Sequence, residues 1–150
     1  MRRALGFTFG LMLPVAAFAQ ASTPIAGTWS LVSVNENHHG QITRPLGEKP
    51  QGQVIYGDHG ELAVMLFSGD RERKAGNPLT PVGPAVAYYG TYTVSGNTIA
   101  IHITASTYPN FAGTDQKGTF TVKDDTLTLV REVTAGAEPF TSTLEFTRAK

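Results

Sequence analysis

The feature that most constrains this chain is a period of two. Ile99, Ile101 and Ile103 alternate with Ala100, His102 and Thr104. Leu127 and Leu129 alternate with Thr126 and Thr128, and Phe140, Leu144 and Phe146 with Thr141, Thr143, Glu145 and Thr147. In an extended strand this pattern sends one set of side chains to each face. One apolar face and one Thr-rich face make a strand half-buried in an antiparallel sheet. No stretch beyond the N-terminal segment carries a helical apolar period. The chain reads as all-β.

Extended runs fall at residues 29–34, 53–56, 61–67, 86–94, 98–105, 117–123, 126–132 and 140–148. Turn residues separate them. Asp58-His59-Gly60, Ser95-Gly96-Asn97 and Asp124-Asp125 each join neighbouring runs as a hairpin. About eight strands joined this way predict an antiparallel up-and-down barrel, which closes the sheet on itself and removes its edges. Such a barrel has room for side chains or one small ligand. Residues 68–84 form the long irregular stretch, and Asn77-Pro78, Pro81 and Gly83-Pro84 keep helix out of its second half. Loops of this length are often lids, so this one is a candidate cover for the barrel mouth. Residues 62–67 are apolar on both parities. The outer side of Met65 and Phe67 therefore needs a cover or a partner.

The first residues lie outside this scheme. Arg2-Arg3, a nearly uncharged stretch over residues 4–18 and the small-x-small triplet Ala17-Phe18-Ala19 read as a secretory signal peptide, residues 1–19. That leaves one domain, residues 20–150, in the periplasm or secreted. The apolar stretch is short for a membrane span, so no stable insertion is expected after cleavage. With no Cys the chain is neither a bacterial lipoprotein nor disulfide-stapled. Without Arg2 and Arg3, ten basic residues face twelve acidic ones. That balance argues against nucleic acid and against anionic membrane surfaces. The one basic cluster, residues 71–74, contains Glu72 and reads as a solvated loop.

Gly27-Thr28-Trp29, at the head of the first strand, resembles the G-x-W signature of the lipocalin and wider calycin superfamily. The resemblance implies that Trp29 plugs one barrel end and that a basic residue of the last strand packs across it. Arg148 stands where that residue belongs. Gly27, Trp29 and Arg148 are thus the signature positions. The likeness to the bacterial and fungal lipocalin-like domain family extends along the chain. It runs through Gly27-Thr28-Trp29-Ser30-Leu31-Val32-Ser33, Pro45 with Gly47, and Gly52 with Tyr56. It continues through Ala87-Tyr88-Tyr89-Gly90-Thr91-Tyr92, His102, Ser106, Pro109-Asn110 and Gly113-Thr114. Members tend to carry two adjacent His residues and an acidic residue in the strand that holds His102. Here the neighbours are Ile101 and Thr104, so that polar cluster is half dismantled.

Four residues are candidate ligand contacts. Tyr88 offers an apolar wall with a polar tip. His102 has polar parity opposite the Ile stripe. It faces solvent if the stripe faces inward, and lines the cavity as donor, acceptor or base if the stripe packs outward. Ser106 and Asn110 belong to the loop after that strand, and read either as turn chemistry or as rim hydrogen-bonding groups. No metal is expected, since His38, His39 and His59 lack ligand spacing. No cofactor is expected either: there is no phosphate-cradling loop, dinucleotide fingerprint or nucleophile elbow. The residues favour binding of a small, largely apolar or amphipathic molecule in a barrel cavity. The alternatives are a cofactor-free isomerase or cyclase using His102 in that cavity, and a filled barrel acting as a protein-interaction module.

Overall fold

The computed structural model describes residues 23–73, 76–80, 82–134 and 138–150. The signal peptide read at residues 1–19 lies outside them. Nine strands account for most of the described chain. They are β1 (Gly27–His38), β2 (Gln41–Thr43), β3 (Gln51–Tyr56), β4 (Glu61–Phe67), β5 (Ala85–Ser95), β6 (Thr98–Ser106), β7 (Asp115–Lys123), β8 (Thr126–Val133) and β9 (Phe140–Arg148). A single 3₁₀ turn, Pro109–Phe111, sits between β6 and β7.

Every pairing is antiparallel. The order β2-β1-β3-β4-β5-β6-β7-β8-β9 closes through a further β1–β9 pairing. Strands β1 and β3–β9 therefore form a closed eight-stranded barrel. The short β2 folds back on the far end of β1 through a turn at His39-Gly40, with φ of 52° and 92°. Two consecutive positive φ values are what the tightest hairpin turns require, and Gly at the second position supplies one without strain. Sequence periodicity missed β2, whose three residues are all exposed.

Parity assigns the interior. Ile99, Ile101 and Ile103 point inward, as do Leu62, Val64 and Leu66 on β4, and Leu127 and Leu129 on β8. One end of the barrel is packed solid. Trp29 is 0% exposed there. Its indole N–H donates to Ile25 O at 2.8 Å. The Arg148 guanidinium lies 4.1 Å from the Trp29 ring centroid. Arg148 Nη1 also donates to Ala26 O at 3.2 Å. Tyr56 and Tyr92 meet edge to face in the same layer, and the Tyr92 hydroxyl donates to Gly57 O at 2.8 Å. Burial, the dominant cause, pushes the Tyr56 phenol far above the ordinary tyrosine range.

Among the described residues the wall opens between β7 and β8. Residues Asp115 to Lys117 of β7 pair only with β6, because β7 and β8 first meet at Gly118 and Arg131. Beyond that pair the strands part, and Glu132 and Val133 pair only with β9. A lateral cleft of about 770 Å³ lies in the gap.

Candidate functional site

The end away from Trp29 is not filled. A cavity of about 340 Å³ lies there, among the inward residues at the ends of β1, β4, β5, β8 and β9. Its walls are apolar: Val34, Leu46, Leu66, Val86, Phe111 and Val133. Leu46, from the segment between β2 and β3, is buried and reaches into the mouth. Arg44 anchors that segment, donating to Asn35 Oδ1 at 3.2 Å and to the Glu48 carboxylate. The mouth is thus partly covered by residues 44–50. The expected cover, residues 68–84, is held at its base by Ser68 N donating to Pro84 O, and Pro84 lines the cavity. Among its described residues Leu79 points away, 87% exposed.

The polar groups of the cavity follow from strand register. Arg131 on β8 faces Ser142 on β9, and Ser142 faces Glu36 on β1. Neighbouring strands lie about 4.8 Å apart, so these three inward residues form one row across the barrel wall. Arg131 is the unusual member. It is 6% exposed. Its Nη1 donates to the Tyr88 hydroxyl at 3.0 Å and to Gln116 Oε1 at 2.9 Å. Its side chain borders both the mouth cavity and the lateral cleft. Glu36 carries His38 Nε2 at 3.3 Å.

The four residues singled out from sequence end up in different places. Tyr88 points into the barrel and holds Arg131. Asn110 borders the lateral cleft and donates from Nδ2 to the Tyr108 hydroxyl at 3.0 Å. Ser106 is half-buried, and its hydroxyl accepts the Tyr108 backbone N–H at 3.0 Å, so it serves the turn. His102 lies outside the barrel. With the Ile stripe inward, its ring is on the outer face, 51% exposed, and pairs with Asp115 Oδ1 at 2.8 Å. A cavity-lining His102 is therefore corrected to a surface residue hydrogen-bonded to Asp115. His102→Ala is expected to change the unfolding free energy by less than about 0.5 kcal/mol, as surface substitutions usually do. Urea denaturation checks this, and a loss above about 2 kcal/mol contradicts the placement.

Sequence reasoning missed Arg131, although its signal was present. Leu127 and Leu129 set the inward parity of β8, and two residues further on the same parity gives Arg131. The outer face of β4 also resolves. The Arg71 guanidinium sits 4.5 Å from the Phe67 ring centroid and covers it. Met65 stays partly open, in a shallow apolar strip with Ala63, Ala87, Tyr89 and Ala105. Among the described residues no cluster of three His, Asp or Glu side chains gathers as a metal site.

Solved structures offer a distant likeness. One is a lipocalin-like protein from Bacteroides uniformis ATCC 8492, at 13% identity and a TM-score of 0.46, covering 83% of this chain and 98% of that one. Another is an uncharacterized protein from Bacteroides eggerthii DSM 20697, at 12% identity and a TM-score of 0.43, covering 81% of this chain and 98% of that one. No curated protein matches the chain. The sequence pattern of the lipocalin-like domain matches residues 26–149, which spans every strand of the barrel. The chain belongs to the lipocalin-like domain family.

Proposed function

We propose that this protein is exported and binds a small, largely apolar molecule in the mouth cavity. The observation that carries the reading is the cavity of about 340 Å³, apolar on its walls with a short polar row at one side. Small-molecule sites have this composition, and this one falls near the lower end of their usual range of about 300–1,000 Å³. The export reading rests on Arg2-Arg3, the apolar stretch behind them and Ala17-Phe18-Ala19. An isomerase or cyclase draws no support from His102, whose ring is outside the cavity.

Native mass spectrometry of the protein isolated gently from its own host tests the proposal. The expected spectrum has a chain beginning at Gln20 and a retained small-molecule mass that disappears on denaturation. Val86→Trp, which places an indole in the cavity, should lower the retained fraction at least tenfold while leaving the protein folded. A retained mass unchanged by Val86→Trp would move the site elsewhere. A clean apo mass, repeated after exposure to a lipophilic extract, would sink the binding reading. The same spectrum covers the interaction-module reading, which the outer strip around Met65 and Tyr89 favours. Its signature is an apo chain travelling as a dimer or with a second protein.

A further inference from the structure

Arg131 is a buried cation. Among the described residues it makes no ion pair, and its two hydrogen bonds go to neutral oxygens of Tyr88 and Gln116. Its Nε is buried and has no hydrogen-bond partner among the described residues. Taking a guanidinium out of water costs several kcal/mol unless a counter-charge and full hydrogen bonding offset it. A buried, unsatisfied polar atom in a native fold calls for a cause. The two oxygens orient the guanidinium through Nη1 and leave the Nε side of the group unspent. A guanidinium edge of this kind presents two parallel N–H donors, a geometry that matches a carboxylate.

The surroundings say what the carboxylate would be attached to. Arg131 borders the apolar mouth cavity on one side and the solvent-facing cleft between β7 and β8 on the other. A free inorganic anion would gain nothing from walls made of Val34, Leu66, Val86 and Phe111. An acid with an apolar tail gains on both counts. At the roughly 30 Å³ that one water-sized group occupies in a liquid, the cavity holds a tail of about ten such groups. Glu36, the one acidic residue lining the cavity, is engaged by His38 and sits two strands away from Arg131. We infer that Arg131, oriented by Tyr88 and Gln116, anchors the carboxylate of an amphipathic acid whose tail fills the mouth cavity. The inference rests on the cavity being a binding site and adds the chemical class of the ligand.

Calorimetry of the full mature chain with decanoate, decan-1-ol and methyl decanoate separates the two claims. Decanoate should bind about tenfold to a hundredfold more tightly than the alcohol or the ester, the range expected for charge-assisted hydrogen bonds in a desolvated site. Arg131→Met should abolish that preference while the alcohol still binds. The variant should fold, because Met fills the volume of the arginine stem and removes a buried charge that has no counter-charge among the described residues. Arg131→Lys keeps the charge without the fork and should recover only part of the preference. In ¹⁵N-labelled protein, the Arg131 Nε–H resonance should shift with decanoate and stay put with the alcohol. Equal affinities for acid and alcohol overturn the anchor and leave the cavity as a binding site. A preference that survives Arg131→Met, or a silent Nε–H resonance, also overturns it. Binding of none of the three probes removes the cavity reading and the anchor with it.

Discussion

Trp29→Ala is expected to lower the unfolding free energy by about 3–5 kcal/mol, the range measured when large aromatics are cut from well-packed cores. Three losses combine. The indole is fully buried, so its removal leaves a void in the core cluster it shares with Ile25, Tyr56 and Phe146. The Ile25 carbonyl loses the N–H that satisfied it. The Arg148 guanidinium loses the face on which it stacks. A domain of this kind is stable by about 5–15 kcal/mol, so the change removes a large share of the total. Trp29→Phe keeps most of the apolar volume and should lose clearly less. Urea denaturation of the three proteins checks the order. A Trp29→Ala loss below about 1 kcal/mol would show that the closed end is not the structural plug described.

The second large effect is expected at Gly90. A Cβ built there would stand 1.8 Å from the His102 carbonyl oxygen and 3.1 Å from the Ile103 Cα. The obstacle is backbone, which cannot rotate away as a side chain can. The close approach belongs to a bulge. Tyr89 pairs with Ala105 and Gly90 with Ile103, so Thr104 is an extra residue on β6. Bulges with glycine at the point of approach are how a sheet bends sharply enough to close. Gly90→Ala is therefore expected to cost about 3 kcal/mol, the upper part of the range for overpacking. Gly76→Ala is the control, since nothing lies within 4 Å of the added carbon, and it should be near neutral. Equal urea midpoints for the two variants would contradict the strand geometry at the bulge.

The barrel was legible because its signal is repetitive. Alternation over β4, β6, β8 and β9 reports burial directly, and strands Glu61–Phe67 and Phe140–Arg148 fall where the pattern puts them. β2 has no apolar alternation to report, because its three residues are all exposed. The site was much less legible. His102 was conspicuous by residue type, yet its direction depended on which way the Ile stripe faced. Parity alone cannot tell inside from outside for one strand. Arg131 was inconspicuous by type, since a basic residue near a strand end usually points to solvent. Only the inward run Leu127, Leu129, Arg131, Val133 exposes it as an interior charge. The cavity depends on where residues 44–50 lie, which is a tertiary fact. Leu46 there looks like any loop leucine until the mouth it enters is known.

The β1–β9 seam has a kinetic consequence. Trp29 pairs with Arg148, and the ladder continues to Asn37 with Thr141. These partners lie more than a hundred positions apart in the chain, whereas every other barrel pairing joins segments close in sequence. Hairpins such as β5–β6 and β7–β8 can form locally and early, but the ring cannot shut until the nine residues of β9 arrive. Contacts of such separation make folding slow, because the entropy of closing the long loop must be met before they contribute. Until then β1 and β8 both present open edges, the species most exposed to mispairing with other chains. A chain that ends before Phe140 would stay in that state, with the cavity wall missing and Trp29 uncovered on the Arg148 side.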